Sequence, residues 1–326
     1  MKKRHLIFLG LLLLVGAMLV ATPLDAQRLG SVSEKAQPSM QDLFDELRNW
    51  RPLFARSTLL DEQQLVRVSL GQKLKTVQLE TSGAVYVYTP DKAQRFRIKE
   101  DSGLFITFGS DKTVQLGNIT SSDEIIIDPQ PSSRLIFKNH VYQGVLHLVA
   151  EKNGIRVVEY NNVEDYLLGV VGREMYPSAS IEALKAQTVA ARSYALAKAK
   201  LHSKRSFDLV NTTADQRYVG VGDVADTTKQ AVTETAGEVL FKSGHLLMAQ
   251  YHANCGGQTE AMPEGYCYFG SPAMQGVSCN NCIPNVRDGH GMGMCQRGAM
   301  GDACQGMGYV EILQHYYPDA TLEKIK

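Results

Sequence analysis

Residues 172–200 read GREMYPSASIEALKAQTVAARSYALAKAK. One acid, Glu174, stands between Gly172 and Pro177, and a long alanine-rich segment follows. Ser180 is a good N-cap, and the pattern beyond it predicts a helix to about Lys200. Alanines at 183, 186, 190, 191, 195 and 197 allow neighbouring elements to pack closely against that helix. Lys185 and Arg192 lie two turns apart along one face. Taken alone, two cations on such a helix are a solvated stripe. Just upstream, NNVEDYLLGVVGREM predicts a helical segment around Val163–Val171 that leads into a turn carrying Glu174. A turn can present a polar side chain to a groove. Glu164 and Asp165 fall at a helix start and Glu182 in a first helical turn, where acids complement the helix dipole and need no catalytic explanation.

Outward from this core, residues 63–160 carry short β-rich runs separated by turn residues: LVRVSL, VYVYT, LFITFG, EIIID, RLIF, VYQGVLHLV and IRVVEY. Charged residues alternate with apolar ones there, as on solvated strand faces, and nothing in the segment suggests catalysis. After the long helix come further short strands (GEVLFKSG, LLMAQYHA), a glycine-rich stretch and a last helix. No internal repeat or low-complexity tract is present. The expected fold class is α+β: a β-rich N-terminal part packed with a helical region and a cysteine-containing C-terminal segment. The chain divides on this reading into 1–26, 27–62 (a polar spacer with a short amphipathic helix), 63–160 and 161–326.

The first residues, MKKRH followed by LIFLGLLLLVGAMLVA, pair a basic start with an unbroken apolar run. They read either as a signal peptide or as a retained membrane anchor. Ala21 and Ala26 are possible cleavage points, but leucine at the third position back spoils the usual small-residue pattern. Either way the body is expected on the extracytoplasmic side. Lys+Arg and Asp+Glu both total 34, which gives no case for a nucleic-acid partner.

Several ordered motifs resemble the stage II sporulation protein D family. VEDYLLGVVGREMYPSASIEALKAQTVAARSYAL is similar to its Y-L-x-G-V-V, E-M and A-L-K-A-Q-x-x-A-A-R-x-Y-A pattern. DLVNTTADQRYVG resembles D-Q-x-Y-x-G, YHANCGGQTE resembles Y-H-x-x-x-G-G-x-T, and GHGMGMCQRGA resembles G-H-G-x-G-x-x-Q-x-G-A. YQGVLHL upstream and ILQHYYPDATLEKI at the end extend the likeness from about residue 64 to the C-terminus. The resemblance implies action on bacterial cell-wall glycan. Relatives include lytic transglycosylases that cleave MurNAc–GlcNAc bonds in peptide-free strands. Others are known as enhancers of an N-acetylmuramoyl-L-alanine amidase, with binding rather than cutting as their role. Carried over residue by residue, it makes Glu174 the catalytic acid and gives Lys185 and Arg192 functional roles.

Lytic cleavage needs a carboxylic acid to protonate the bridging oxygen. The same group, then ionised, takes a proton from the sugar's own C6 hydroxyl as that attacks the anomeric carbon. One carboxyl can therefore serve where a glycosidase uses two. A cation touching Glu174 would oppose its starting protonated form. Lys185 and Arg192 are accordingly expected on substrate acetamido or lactyl groups, or on Asp215. Asp215, Gln216 and Tyr218 fit a sugar-binding wall, and His290 and Gln296 could bond sugar hydroxyls or support Glu174.

All six cysteines fall after residue 254. His252-x-x-Cys255 and Cys279-x-x-Cys282 have spacings that let each pair meet one ion, and zinc favours four such ligands. A structural zinc on these four is the reading the spacing favours, and relatives with Cys/His-bound zinc agree with it. Disulfides are the competing reading in an oxidising compartment. Cys267, Cys295 and Cys304 are left over, and Cys267 is an alternative to His252. The glycine-rich stretch around 289–308 lacks the G-K-[ST] of a phosphate loop, so that reading is rejected.

Overall fold

A computed structural model describes residues 64–99, 102–262 and 273–325. The N-terminal apolar run, the spacer with its amphipathic helix, and Cys267 lie outside the described residues. Among the described residues no helix is long and apolar enough to cross a membrane.

The alternating runs form twelve strands in succession: β1 (Leu65–Leu74), β2 (Thr76–Ser82), β3 (Val85–Tyr88), β4 (Arg95–Ile98), β5 (Gly103–Phe108), β6 (Val114–Leu116), β7 (Ile119–Ser121), β8 (Glu124–Pro129), β9 (Arg134–Phe137), β10 (His140–Tyr142), β11 (Val145–Glu151) and β12 (Gly154–Asn162). In β2 the period of two is complete, with Val77, Leu79 and Thr81 buried and their neighbours exposed. A six-stranded sheet runs β10-β9-β2-β5-β6-β7. The other sheet, of seven strands, runs β13-β1-β12-β11-β8-β3-β4, its last member to arrive being β13 (Leu209–Val210). β12 lies inside this sheet between β1 and β11 and is buried almost throughout.

Two helices follow β12: α1 (Val163–Glu174) and α2 (Ile181–Leu201). Asn162 caps α1 through its side chain, which accepts the Glu164 N–H at 2.8 Å. α2 is buried on nearly every side between Ala183 and Ala197. It touches α1 and the three later helices, α3 (Asp226–Glu234), α4 (Gln296–Cys304) and α5 (Tyr309–Tyr316). Its alanines are what permit four helices to approach one. The chain then returns to the first sheet, where β13 pairs parallel with β1 at Val68↔Leu209. Arg67 on β1 fastens this return by gripping Asp208 at 2.6 Å and donating to the carbonyls of His202 and Arg205. The β-rich and helical segments thus share one sheet and one core, the α+β arrangement expected.

The rest of the chain adds β14 (Glu238–Lys242), β15 (His245–Leu246), β16 (Tyr251–His252), β17 (Met294–Cys295) and β18 (Thr321–Lys324). Two glycines are fixed by close approach. A Cβ at Gly169 in α1 would stand 2.3 Å from the Gly220 carbonyl oxygen, so α1 can meet that loop only without a side chain. At Gly293, φ is +70° and a Cβ would collide with the Gln250 carbonyl oxygen. That glycine lets β17 lie parallel to β16, in the register His252↔Cys295.

Candidate active site

Glu174 is the last residue of α1, and the chain becomes extended at Met175 (φ −129°, ψ 146°). The expected turn is one residue further on, because the helix runs through Gly172. The carboxyl group is half-buried in the lining of a cavity of about 450 Å³, shared with Tyr176, Arg217, Asn254, Asp288 and Arg297. One carboxylate oxygen accepts the Arg217 backbone N–H at 2.6 Å. The other makes no hydrogen bond to any described residue. Burial lifts the carboxyl above its ordinary range, opposed by the Arg217 N–H and the Arg217 charge. A helix C-terminus also disfavours negative charge. The site therefore holds an acid biased toward its protonated form, with one oxygen steered and one free.

Gln296 anchors this acid from behind. Its amide donates to the Glu174 backbone carbonyl at 3.0 Å and to the Gln187 side-chain oxygen at 3.2 Å. Gln216 is fully buried under the site, accepting from the Tyr166 hydroxyl at 3.1 Å and donating to the Ala191 carbonyl and the Tyr251 hydroxyl. Asp215 is consumed by Lys198 at 2.7 Å, the Tyr194 hydroxyl at 3.0 Å and the Val210 N–H at 2.8 Å. Tyr218 is 0 % exposed and packs on the rings of Tyr166 and Tyr142. The expected sugar-binding wall at 215–218 is instead a buried scaffold that delivers the Arg217 N–H to Glu174. His290 is exposed on the glycine-rich loop, its Nδ1 accepting the Met292 N–H at 3.1 Å, and it does not line the cavity.

Lys185 and Arg192 depart from expectation too. Arg192 is 0 % exposed, so it cannot reach a ligand. Its guanidinium holds Glu164 through two bonds of 2.8 and 2.6 Å and donates to the Glu238 carbonyl at 3.1 Å. It clamps α1, α2 and β14 together. Lys185 bridges Glu182 at 3.0 Å and Glu234 at 2.7 Å, joining α2 to α3, and it does not line the Glu174 cavity. Neither touches Asp215, whose cation is Lys198.

The aromatic surface at the site is Tyr176, 61 % exposed, with the Arg297 guanidinium 5.4 Å from its ring centre. It follows Met175 directly, so an aromatic beside the E-M motif was the available signal. Arg217 and Arg297 occupy the open positions of D-Q-x-Y and Q-x-G-A, where a motif carries no information. Nothing in the sequence marks Asp288.

Behind the same cavity lie four thiols. Cys255, Cys279, Cys282 and Cys295 place their sulfurs within 4.8 Å of one another, and among the described cysteines none is in a disulfide. His252 is not in the group. Its Nδ1 must donate to the Met292 carbonyl at 3.0 Å, and Cys295, beside it on β17, supplies the fourth sulfur. A tetrahedral ion with bonds of about 2.3 Å separates its sulfurs by roughly 3.8 Å. The Cys255–Cys282 separation of 3.5 Å fits that, and backbone N–H groups of Cys255 and Gly298 point at the Cys295 sulfur at 3.3 Å, as suits a thiolate. Burial pushes the Cys255 thiol up to about 11, so a cation is needed to hold it ionised. The set can hold a soft metal ion. Three of the four cysteines are one residue from a cavity-lining group: Cys255 from Asn254, Cys282 from Ile283, Cys295 from Gln296. Asn254 reinforces the link by donating to the carbonyls of Ile283 and Val286.

A larger cavity, about 670 Å³, is lined by Leu65, Arg67, Tyr160 and Asp208. Its acid is already held by Arg67.

The family model described as stage II sporulation protein (SpoIID) matches residues 151–241. That span runs from β11 to β14 and includes Glu174, Arg192 and the 215–218 segment, though not the thiols. An uncharacterised protein of Brachyspira hyodysenteriae is 36% identical over 147 residues, covering 45% of this chain and 40% of that protein. A protein of Bacillus subtilis named amidase enhancer is 45% identical over 98 residues, covering 30% of this chain and 13% of its own length. The chain thus spans less than half of either relative.

Proposed function

Residues 151–241 belong to the SpoIID family, and on that premise we propose that the protein acts outside the cytoplasm on peptidoglycan, as a lytic transglycosylase cutting MurNAc–GlcNAc bonds in peptide-free glycan strands. The observation that carries the reading is the state of Glu174: half-buried, raised by burial, one oxygen held by Arg217 and the other free toward a cavity. A carboxyl so biased can start protonated, give its proton to the bridging oxygen and then accept the proton of the C6 hydroxyl that closes the 1,6-anhydro ring. The Arg217 N–H holds the orientation through both steps and stabilises the carboxylate that exists between them. Tyr176 offers a flat face on which a sugar ring can stack. The four thiols would hold a structural zinc ion that ties the cavity wall to the head of α4, and the sulfurs themselves do not line the cavity.

Asp288 in the lining is a second carboxyl, so a two-acid hydrolysis is the rival chemistry within the same pocket. Mass analysis of products from peptide-free strands separates them. Anhydro ends that vanish in Glu174→Gln and persist in Asp288→Asn support the proposal, whereas reducing ends dependent on both acids point to hydrolysis.

The name of the Bacillus subtilis relative supports a second reading, in which this chain binds glycan and stimulates an N-acetylmuramoyl-L-alanine amidase without cutting. Intact strands retained by the protein, with faster stem-peptide release when an amidase is added, would favour it. The N-terminal apolar run supports export, with the segment either cleaved or kept as an anchor.

A further inference from the structure

Three guanidinium groups, Arg173, Arg217 and Arg297, line the Glu174 cavity. All three residues are exposed, and none has an ion pair among the described residues. The chain as a whole is balanced, 34 cations against 34 acids. Elsewhere four arginines hold acids: Arg67 has Asp208, Arg156 has Glu151, Arg192 has Glu164 and Arg287 has Glu260. What sets Arg173, Arg217 and Arg297 apart is that all three share one lining with the Glu174 carboxyl group. Grouping three free guanidiniums beside an acid that must begin protonated works against that acid. Such an arrangement makes sense when a negative group arrives with the ligand and satisfies them.

Resting on the proposed glycan reading, we propose that Arg217 and Arg297, with Arg173 at the rim, are specificity residues that bind the free lactyl carboxylate of a muramyl sugar. In strands that carry stem peptides this group is an amide without charge; in peptide-free strands it is a carboxylate. Guanidinium forks match a carboxylate in shape and strengthen their hydrogen bonds when the acceptor is ionised. The Arg297 guanidinium lies 5.4 Å from the Tyr176 ring centre, so a ring stacked on the tyrosine has its substituents beside that cation. Arg217 has its backbone N–H on Glu174, which ties the recognised sugar to the reacting acid. A bound carboxylate also offsets the Arg217 charge that otherwise favours ionised Glu174. Among the described residues Asp288 is the one other acid in the lining and repels an anion, so the preference is a difference between three cations and one fixed charge.

The test uses the full chain bearing Glu174→Gln, which keeps an acceptor for the Arg217 N–H while removing the acid. Peptide-free MurNAc-containing oligosaccharides are compared with the same molecules after conversion of the lactyl carboxylates to methylamides, and with chito-oligosaccharides of equal length. At low salt the free acid is expected to bind about tenfold more tightly than the amide, Arg217 and Arg297 each contributing roughly threefold. Adding Arg217→Gln and Arg297→Gln removes the preference, so that acid and methylamide then bind equally, with the melting temperature unchanged. Raising the salt shrinks the preference. Equal binding of acid and amide by the parent, or a preference that survives both substitutions, overturns the inference. Cutting by the Glu174 protein is scored separately. If it persists without carboxylate preference, only the anion site is wrong, and a folded protein that neither binds nor cuts any glycan sinks the proposed function as well.

Discussion

Replacing Arg192 with methionine tests whether this residue serves the fold or the ligand. Its side chain is 0 % exposed and makes two bonds to Glu164 and one to the Glu238 carbonyl. Breaking a buried ion pair by removing one partner costs about 3–5 kcal/mol, most of it from the charge left uncompensated. Glu164 retains 26% side-chain exposure and the Gly237 N–H at 3.0 Å, so the lower end, about 3 kcal/mol, is expected. For a folded unit of this size that lowers the melting temperature by roughly 6–12 °C. Adding Glu164→Gln should recover part of the loss, because no lone charge then remains. Urea unfolding of the three variants measures this directly, with glycan binding recorded below the transition. Unchanged stability together with weakened binding would refute the reasoning and return Arg192 to the ligand.

Glu159 on β12 is fully buried beside Tyr218, accepts the Gly144 N–H at 3.0 Å, and is pushed by burial from 4.5 to about 7. The folded state then holds a proton that the unfolded chain releases, so its stabilising effect is complete below pH 4.5 and lost as pH rises through about 7. The loss is about 3 kcal/mol, and Glu159→Gln should flatten stability across that window; an unaltered slope would show Glu159 is not its source. A chelator strong enough to strip zinc should release one equivalent per chain and weaken glycan binding, and Cys282→Ser should abolish uptake; protein isolated with no metal and full activity would contradict the thiol site. Gln296→Ala removes the donor to the Glu174 carbonyl and should slow cleavage by roughly tenfold to a hundredfold, measured with the metal content checked as intact.

The α1–α2 core was legible because its signals are local. Alanine spacing, the Ser180 start and the E-M motif all lie within one short stretch, and the strand runs of 63–160 show their own alternation. What escaped depends on distant partners. Arg192 and Lys185 read locally as a solvated stripe, and through the family resemblance as ligand contacts, until Glu164, Glu234 and Glu238 come in from other elements. The 215–218 segment is polar enough to suggest a surface, yet Tyr194, Lys198 and Tyr251 bury it by satisfying each group. His252 and Cys295 are far apart in the chain, and only the parallel register of β16 and β17 sets one beside the other. Spacing could find three of the four thiols but not choose between them for the fourth. The exposed Tyr176 and the arginines at open motif positions carry no periodic signal at all.

The sharpest test of the single-acid account is cleavage of peptide-free strands in water enriched in oxygen-18. If Glu174 moves a proton between the bridging oxygen and the sugar's own hydroxyl, product ends are 18 mass units below a hydrolysed end and carry no label, because no water adds. Ends that gain one labelled oxygen would contradict it.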